Sequence, residues 1–484
     1  MTDRKWPAII QGGMGIAVSH WPLARAVSSA GQLGVVSGTA IDMVLLRRLQ
    51  DGDPGGHMRR ALKASPWPQM AADVIERFFQ PHGRKANQPY ARIPLWTLSP
   101  NRWRTSLAML GGFAEVWLAK AGQAGTVGIN LLTKVELPNL PILYGAMQAG
   151  VDAVLMGAGI PREIPGVLDR LAEHEEVAMR YTVSDAPSAS NSVIRFNPAD
   201  YAESAPSSRL HRPGFFPIIS AATLAVMLIK KATGTVDGFI VEGARAGGHN
   251  APPRGVMEYD AIGQPVYHPR DTADVTAIAK LGYPFWLAGG FGSRSGLRSA
   301  WEQGAHGIQV GTLFAYCEES GLIPELRQRV FTTLEEGTAA VYTDPLASPT
   351  GFPFKVVSVP GTLSEKNIYH NRPRICDLGY LRESYQDSRG HIQQRCAAGP
   401  MDDYIAHGGK LEDTYRRLCL CNGLMSASGY AQIQHGGYVE PPVVTSGDAL
   451  EELLPLVERF GQRFSARNVV DYLLGTTESG AADS

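Results

Sequence analysis

Short apolar runs that alternate with helical stretches constrain this chain more than any other feature. The runs are Ala8–Gln11, Leu33–Val36, Thr126–Asn130, Ala153–Met156, Val177–Val183, Gly238–Val241, Phe285–Ala288 and Gly307–Val310. Between them, Trp21–Ala30, Ile41–Leu49 and Ala221–Lys231 carry helical spacing. Strands of four to eight residues separated by helices make parallel βαβ units. Eight such strands close on themselves, so the expected fold is an α/β (β/α)8 TIM barrel.

A barrel needs roughly 250 residues, and the chain has 484. The surplus is expected in two insertions and a tail. Residues 51–112 break the rhythm with Asp-Pro-Gly-Gly, Ser-Pro-Trp-Pro and Leu-Ser-Pro and are read as an insertion with helices of its own. Residues 185–214, rich in Ser, Ala and Pro, are read as a long loop. The barrel is placed in residues 1–335 and a smaller, helical and loop-rich C-terminal subdomain in 336–484. Its Leu450–Leu474 stretch reads as one amphipathic helix and the final ten residues as disordered.

Composition removes several function classes. Lys and Arg total 45 against 46 Asp and Glu, so no basic excess marks a nucleic-acid or anionic-membrane binder. The longest strongly apolar run, Ala221–Ile229, has nine residues against the ~20 that span a bilayer. The charged start lacks an apolar stretch behind it, which argues against a secretory signal. Five cysteines, an odd number, fit a reducing cytoplasm better than a disulfide framework.

The strongest chemical signal is Ala288-Gly-Gly-Phe-Gly-Ser293, followed one helix later by Gln309-Val-Gly-Thr312. Both lie just past apolar strands, the seventh and eighth, where barrels commonly bind a phosphate through backbone N–H groups. Glycines let the backbone approach the phosphate oxygens, and Ser293 and Thr312 add hydroxyl donors. Taken singly, each glycine pair is as well explained by a tight βα turn. The pair, spaced by one helix, favours phosphate. A dinucleotide site opening at Gly13-Met-Gly15 fails, because Val18 stands where its last glycine belongs and no acid ends the strand at Leu33–Val36.

Gln11-Gly-Gly-Met14, Gly128-Ile-Asn130, Gly157-Ala-Gly159, Glu242-Gly-Ala-Arg-Ala-Gly-Gly-His249 and the two phosphate loops occur in one order along residues 7–316. This ordered set resembles the nitronate monooxygenase (2-nitropropane dioxygenase) family, and also the related FMN-dependent enoyl reductases. The resemblance implies FMN as cofactor. It places Gln11, Gly12, Gly13, Met14 and Asn130 at the flavin ring, and Glu242, where the family often has Asp, with Gly247 and Gly248 along the ring and ribityl chain. Ala288, Gly289, Gly290, Gly292, Ser293, Gln309, Val310, Gly311 and Thr312 would hold the phosphate end. His249 matches the family's active-site histidine. The segments Cys376-Asp-Leu-Gly-Tyr380, Arg395-Cys396 and Cys419-Leu-Cys-Asn-Gly-Leu424 look like the longer enoyl reductase branch of polyketide and polyunsaturated fatty acid synthases. That branch implies NAD(P)H as electron donor and an acyl carrier protein as partner.

His249 follows a Gly-Gly turn at a strand exit, where barrels place catalytic side chains. With a pKa near 7 it can exchange a proton with a carbon centre at working pH. The plain alternative is a solvated histidine in the loop Asn250-Ala-Pro-Pro-Arg254, and Arg245 and Arg254 beside it fit solvated cations as well as anion binders. Three functions therefore stand open: oxidation of alkyl nitronates with oxygen, enoyl-thioester reduction, and flavin binding without turnover. Cys376, Cys396, Cys419 and Cys421, with 19, 22 and one residues between them, are read as buried reduced thiols. A closed zinc site is the alternative, with a spacing unlike the usual knuckle.

Overall fold

A computed structural model describes residues 5–99, 101–185, 192–204 and 208–476. Eight parallel strands run β1 (Ile9–Gln11), β2 (Gly34–Ser37), β3 (Val127–Leu132), β4 (Ala153–Gly157), β5 (Gly214–Ile219), β6 (Phe239–Glu242), β7 (Phe285–Ala288) and β8 (Gly307–Val310). Their order is β1-β8-β7-β6-β5-β4-β3-β2. The ring closes where the Leu33 N–H donates to the Ile9 carbonyl at 3.1 Å and the Gln11 N–H donates to the Leu33 carbonyl at 3.0 Å. The expected barrel is the observed one.

Side chains alternate across each strand, and the two faces build two cores. Ile10, Leu33, Val35, Ala153, Leu155, Phe216, Ile240, Trp286 and Ala288 fill the barrel interior. Their neighbours, among them Ile9, Val36, Ile129, Val154, Phe215 and Leu287, pack outward beneath the helices. At the end where the strands begin, Trp6 meets Phe216 edge-on at 4.8 Å and Phe216 meets Trp286 at 5.3 Å. The Trp286 indole N–H donates to the Pro7 carbonyl at 2.9 Å. That end is closed by rings, so the open end is the one where the strands finish.

The fifth strand was expected at Val177–Val183, and this is corrected. Val177–Arg180 pairs antiparallel with Val193–Phe196 outside the barrel, and Val183–Ser184 pairs with Glu383–Gln386. The physical reason is burial. Val177 and Met179 are buried but Ala178 and Arg180 are exposed, whereas a barrel strand covers both faces. Gly214–Ile219, nearly all buried, meets that demand. The stretch 185–214 is accordingly not one long loop: Val193–Phe196 and the turn Pro198–Tyr201 lie within it, while 186–191 and 205–207 fall outside the described residues.

The first insertion does carry helices, His57–Lys63 and Pro68–Phe78. Its expected end at 112 falls inside the helix Arg102–Lys120, which packs against Asn139–Gln148 as part of the barrel's outer layer. The tail expected as one helix is broken at Gly461. A 3-10 turn, Leu450–Leu453, leads into Leu454–Phe460, and Ala466–Leu474 follows after the break. Of the final ten residues, 477–484 lie outside the described part. Among the described residues no helix is long and apolar enough to cross a membrane.

Candidate active site

The loops that leave β1, β4, β6, β7 and β8 surround one cavity at the open barrel end, and residues from 354 to 452 form its roof. Gly12, Gly13, Met14, Asn130, Glu242, Gly247, Gly248, His249, Ala288, Gly289, Gly290, Gly292, Gln309, Val310, Gly311 and Thr312 all line it. Two residues picked from the sequence do not. Gln11 is fully buried below the floor, where its amide donates to Ser19 Oγ at 2.7 Å and its carbonyl oxygen accepts from the Val35 N–H at 2.8 Å. It clamps β1 to β2. Ser293 caps the helix Arg294–Glu302, accepting from the Gly296 N–H at 3.0 Å. Its hydroxyl serves the helix, not the cavity.

The floor needs close backbone approach. A Cβ on Gly13 would lie 2.1 Å from the Asn130 Cβ, so a side chain there would push Asn130 from its place. The Asn130 amide donates to the Gly13 carbonyl at 3.1 Å. Ser19, which the sequence did not mark, accepts from the Met14 N–H and donates to the Gly12 carbonyl, both at 2.8 Å. At the other wall, Gly289 and Gly290 turn with φ of 87° and 88°, a conformation that other residues rarely take. Both glycines line the cavity, and glycine turns of this kind are where backbone N–H groups commonly bind phosphate.

Whether these residues fit a flavin can be asked of the polar atoms. The buried Gln309 Oε1 lines the cavity region and has no hydrogen-bond partner among the described residues. Buried oxygens are seldom left so, and a donor on a bound ligand would satisfy it. With the glycine-lined wall, this donor set suits a ring carrying N–H groups and a phosphate tail. One contact runs against the expected set: the Gly292 N–H already donates to the Glu452 carboxylate. Burial raises the Glu452 pKa, and the Arg245 charge lowers it.

The expected pKa near 7 for His249 is corrected. Burial drives it down to about 4, so the imidazole is neutral at working pH. Its Nε2 bonds Ser348 Oγ at 2.7 Å, and the ring meets Phe354 edge-on at 4.9 Å. Ser348, fully buried, continues to Thr350 Oγ1 at 2.8 Å. Glu242 moves the other way. Burial raises its carboxyl to about 8, against the nearby Lys355 charge, so it keeps its proton near neutrality. Lys355 is itself buried, donating to Thr343 Oγ1 at 2.7 Å and to Asp448 Oδ1 at 2.6 Å. Of the two arginines beside His249, Arg245 lines the cavity and Arg254 does not.

The roof is tied to the barrel by its backbone. The Lys355 N–H donates to the Gly248 carbonyl at 3.0 Å and the Asn250 N–H to the Pro353 carbonyl at 2.9 Å. The Gly248 N–H donates to Thr445 Oγ1 at 2.9 Å, and the Gly447 N–H to Thr312 Oγ1 at 3.1 Å. Leu381, Leu420, Leu424, Val443 and Val444 make the roof aliphatic.

Residues 171–343 match the family model described as Nitronate monooxygenase, so that segment is similar to that family. A probable nitronate monooxygenase of Bacillus subtilis is 30% identical over 119 residues, 25% of this chain and 32% of the relative. The chain thus matches about a third of that relative's length. Among solved structures, FabK from Thermotoga maritima aligns at 15% identity over 98% of this chain and 93% of its own, with a TM-score of 0.46. A nitroalkane oxidase from Streptomyces ansochromogenes aligns at 14% identity over 98% and 97%, with a TM-score of 0.44.

Proposed function

We propose that this chain, similar to the nitronate monooxygenases over residues 171–343, is a flavin-dependent oxidoreductase that holds FMN at the barrel mouth and oxidises alkyl nitronates with oxygen. The observation that carries the reading is the gathering of the glycine turns, Asn130, Glu242, Gln309 and His249 around one cavity. Gly289, Gly290, Gly311 and Thr312 would hold the phosphate, and Gly13, Met14, Asn130 and Gln309 the ring. Bound there, FMN supplies the electron transfer. A division into a barrel, 1–335, and a smaller C-terminal subdomain, 336–484, goes with this reading, as does a cytoplasmic location.

The protein's own part is to bind, orient and hold protons. A neutral His249, steadied by Ser348, accepts a proton or donates an N–H bond to a substrate anion. Glu242, protonated near neutrality, offers a proton at the end of β6. The aliphatic roof keeps water from both groups, and Arg245 at the rim suits an anionic substrate.

The test is oxygen uptake when propionate 3-nitronate is added to flavin-loaded protein. Turnover is expected, and a His249→Ala change is expected to slow it by about 10²-fold or more. A flavin-loaded protein inert to every nitronate would refute this activity. The aliphatic roof also favours a second reading, reduction of enoyl groups on carrier-protein thioesters with NAD(P)H, since an acyl chain suits such a wall. Rapid bleaching of the bound flavin by NADPH would select it.

A further inference from the structure

Next to the cavity, which Leu420 and Cys421 also line, Cys376, Cys396, Cys419 and Cys421 meet around one small internal space. All four thiols are free. Among the described residues no group of three or more His, Cys, Asp or Glu is placed to hold a metal ion. Two of the thiols form a pair. The β-carbons of Cys376 and Cys396 lie 3.2 and 4.0 Å from the point a Cβ on Gly399 would occupy, so the two side chains are neighbours around that space. Both residues are partly exposed, whereas Cys419 is buried.

The surroundings of the pair are asymmetric. The Cys376 thiol, the N–H groups of Ala398 and Gly399 and the charge of Arg374 all favour the Cys396 thiolate, and its pKa falls to about 7. The Arg382 charge faces the same cluster. Cys376 moves upward, held as the thiol by Cys396 and by burial. A thiolate beside a neighbouring thiol is the arrangement in which one sulfur is oxidised and the other resolves it.

We propose that Cys376 and Cys396 are a modification site for hydroperoxides, Cys396 reacting first and Cys376 closing a disulfide with it. The Cys396 thiolate attacks one peroxide oxygen. The S–O bond forms, the O–O bond breaks, and the leaving oxygen takes a proton to become water or an alcohol. Cys396 is thereby oxidised by two electrons to a sulfenic acid and the peroxide is reduced by two. The Cys376 thiol then loses its proton to the departing hydroxyl and attacks the sulfenic sulfur. The S–S bond forms, the S–O bond breaks, and water leaves. The cross-link closes the chain around the hairpin Glu383–Gln386/Ile392–Arg395. Tyr380 and Leu381, within the closed loop, line the main cavity, so oxidation fixes one edge of the roof.

Hydrogen peroxide titration of the full-length protein, followed by thiol counting and peptide mapping without reductant, tests this. The expected result is loss of two thiols, a peptide joining Cys376 to Cys396, and reversal by dithiothreitol. In Cys376→Ser, dimedone should label Cys396. In Cys396→Ser, neither the label nor the cross-link should form. A cross-link between any other pair, first labelling of another cysteine, or unchanged thiols after peroxide would overturn the proposal. So would zinc or iron held by these thiols at one per chain in the protein as purified. Should a serine variant fail to fold, the peptide map of the parent protein decides alone.

Discussion

At the scale of single residues, burial moves two groups lining the same cavity in opposite directions. Glu242 rises to about 8 and His249 falls to about 4, so between those values the acid is protonated and the imidazole is not. If Glu242 donates the proton, turnover needs its acid form and falls as pH rises through about 8. Glu242→Gln, which cannot ionise, should remove that alkaline limb from the pH–rate profile. A limb that survives the change would assign it elsewhere. Glu452 offers a second test. Its carboxylate holds the Gly292 N–H, so a phosphate nearby meets a like charge. Glu452→Gln should tighten FMN by about tenfold, ~1.4 kcal/mol, read by quenching of free flavin fluorescence. These partners were not legible in the sequence. Glu452 lies far along the chain from Gly292, and nothing local marks Ser348 or Lys355 as neighbours of His249 and Glu242. Gln11 and Ser293 lie off the cavity lining for the opposite reason: their side chains are bonded to nearby backbone.

At the scale of elements, apolar runs marked seven of the eight barrel strands. The fifth was missed because Val177–Val183 filled its place and the second insertion was carried to residue 214, although Phe215, Phe216 and Ile219 just beyond it are buried. Glycine and proline signal turns only where the flanking residues reach water. The roof is held to the barrel by a buried cluster no local pattern reveals. Arg104 pairs with Asp42 at 3.2 Å and donates to the Tyr380 hydroxyl at 2.9 Å, and that hydroxyl donates to Asp42. Arg104 and Asp42 are almost wholly enclosed, with side-chain exposures of 2% and 0%. Removing one partner leaves an uncompensated charge, which costs about 3–5 kcal/mol. Asp42→Ala should lower the urea unfolding free energy by that amount, whereas a loss below 1 kcal/mol would show that the cluster does not anchor the roof.

At the scale of the whole molecule, the barrel was legible because eight repeats of one pattern outweigh an error in any of them. The path of the last third was not, since it follows contacts with the barrel rather than a periodicity of its own. Acid stability belongs to this scale. His20 and His249 are buried as neutral rings, with pKa values lowered to about 3 and about 4. The unfolded chain binds these protons near pH 6.5, so the folded state binds fewer in between. The stability present above pH 6.5 is therefore lost as pH falls through that value toward 4. Glu242, with its carboxyl raised to about 8, pulls the other way over the same range. In urea midpoint series from pH 7.5 to 4.5, the acid end for His249→Gln, relative to its own value at pH 7.5, should therefore lie above that of the parent protein.

The backbone bonds joining Gly248 and Asn250 to Lys355 and Pro353 have a consequence for entry. Because the opposite end is stoppered by Trp6, Phe216 and Trp286, molecules enter from the roof side. A roof that yielded to them would pull on the backbone at both flanks of His249, so a substitution at Pro353 or Lys355 should register at the imidazole.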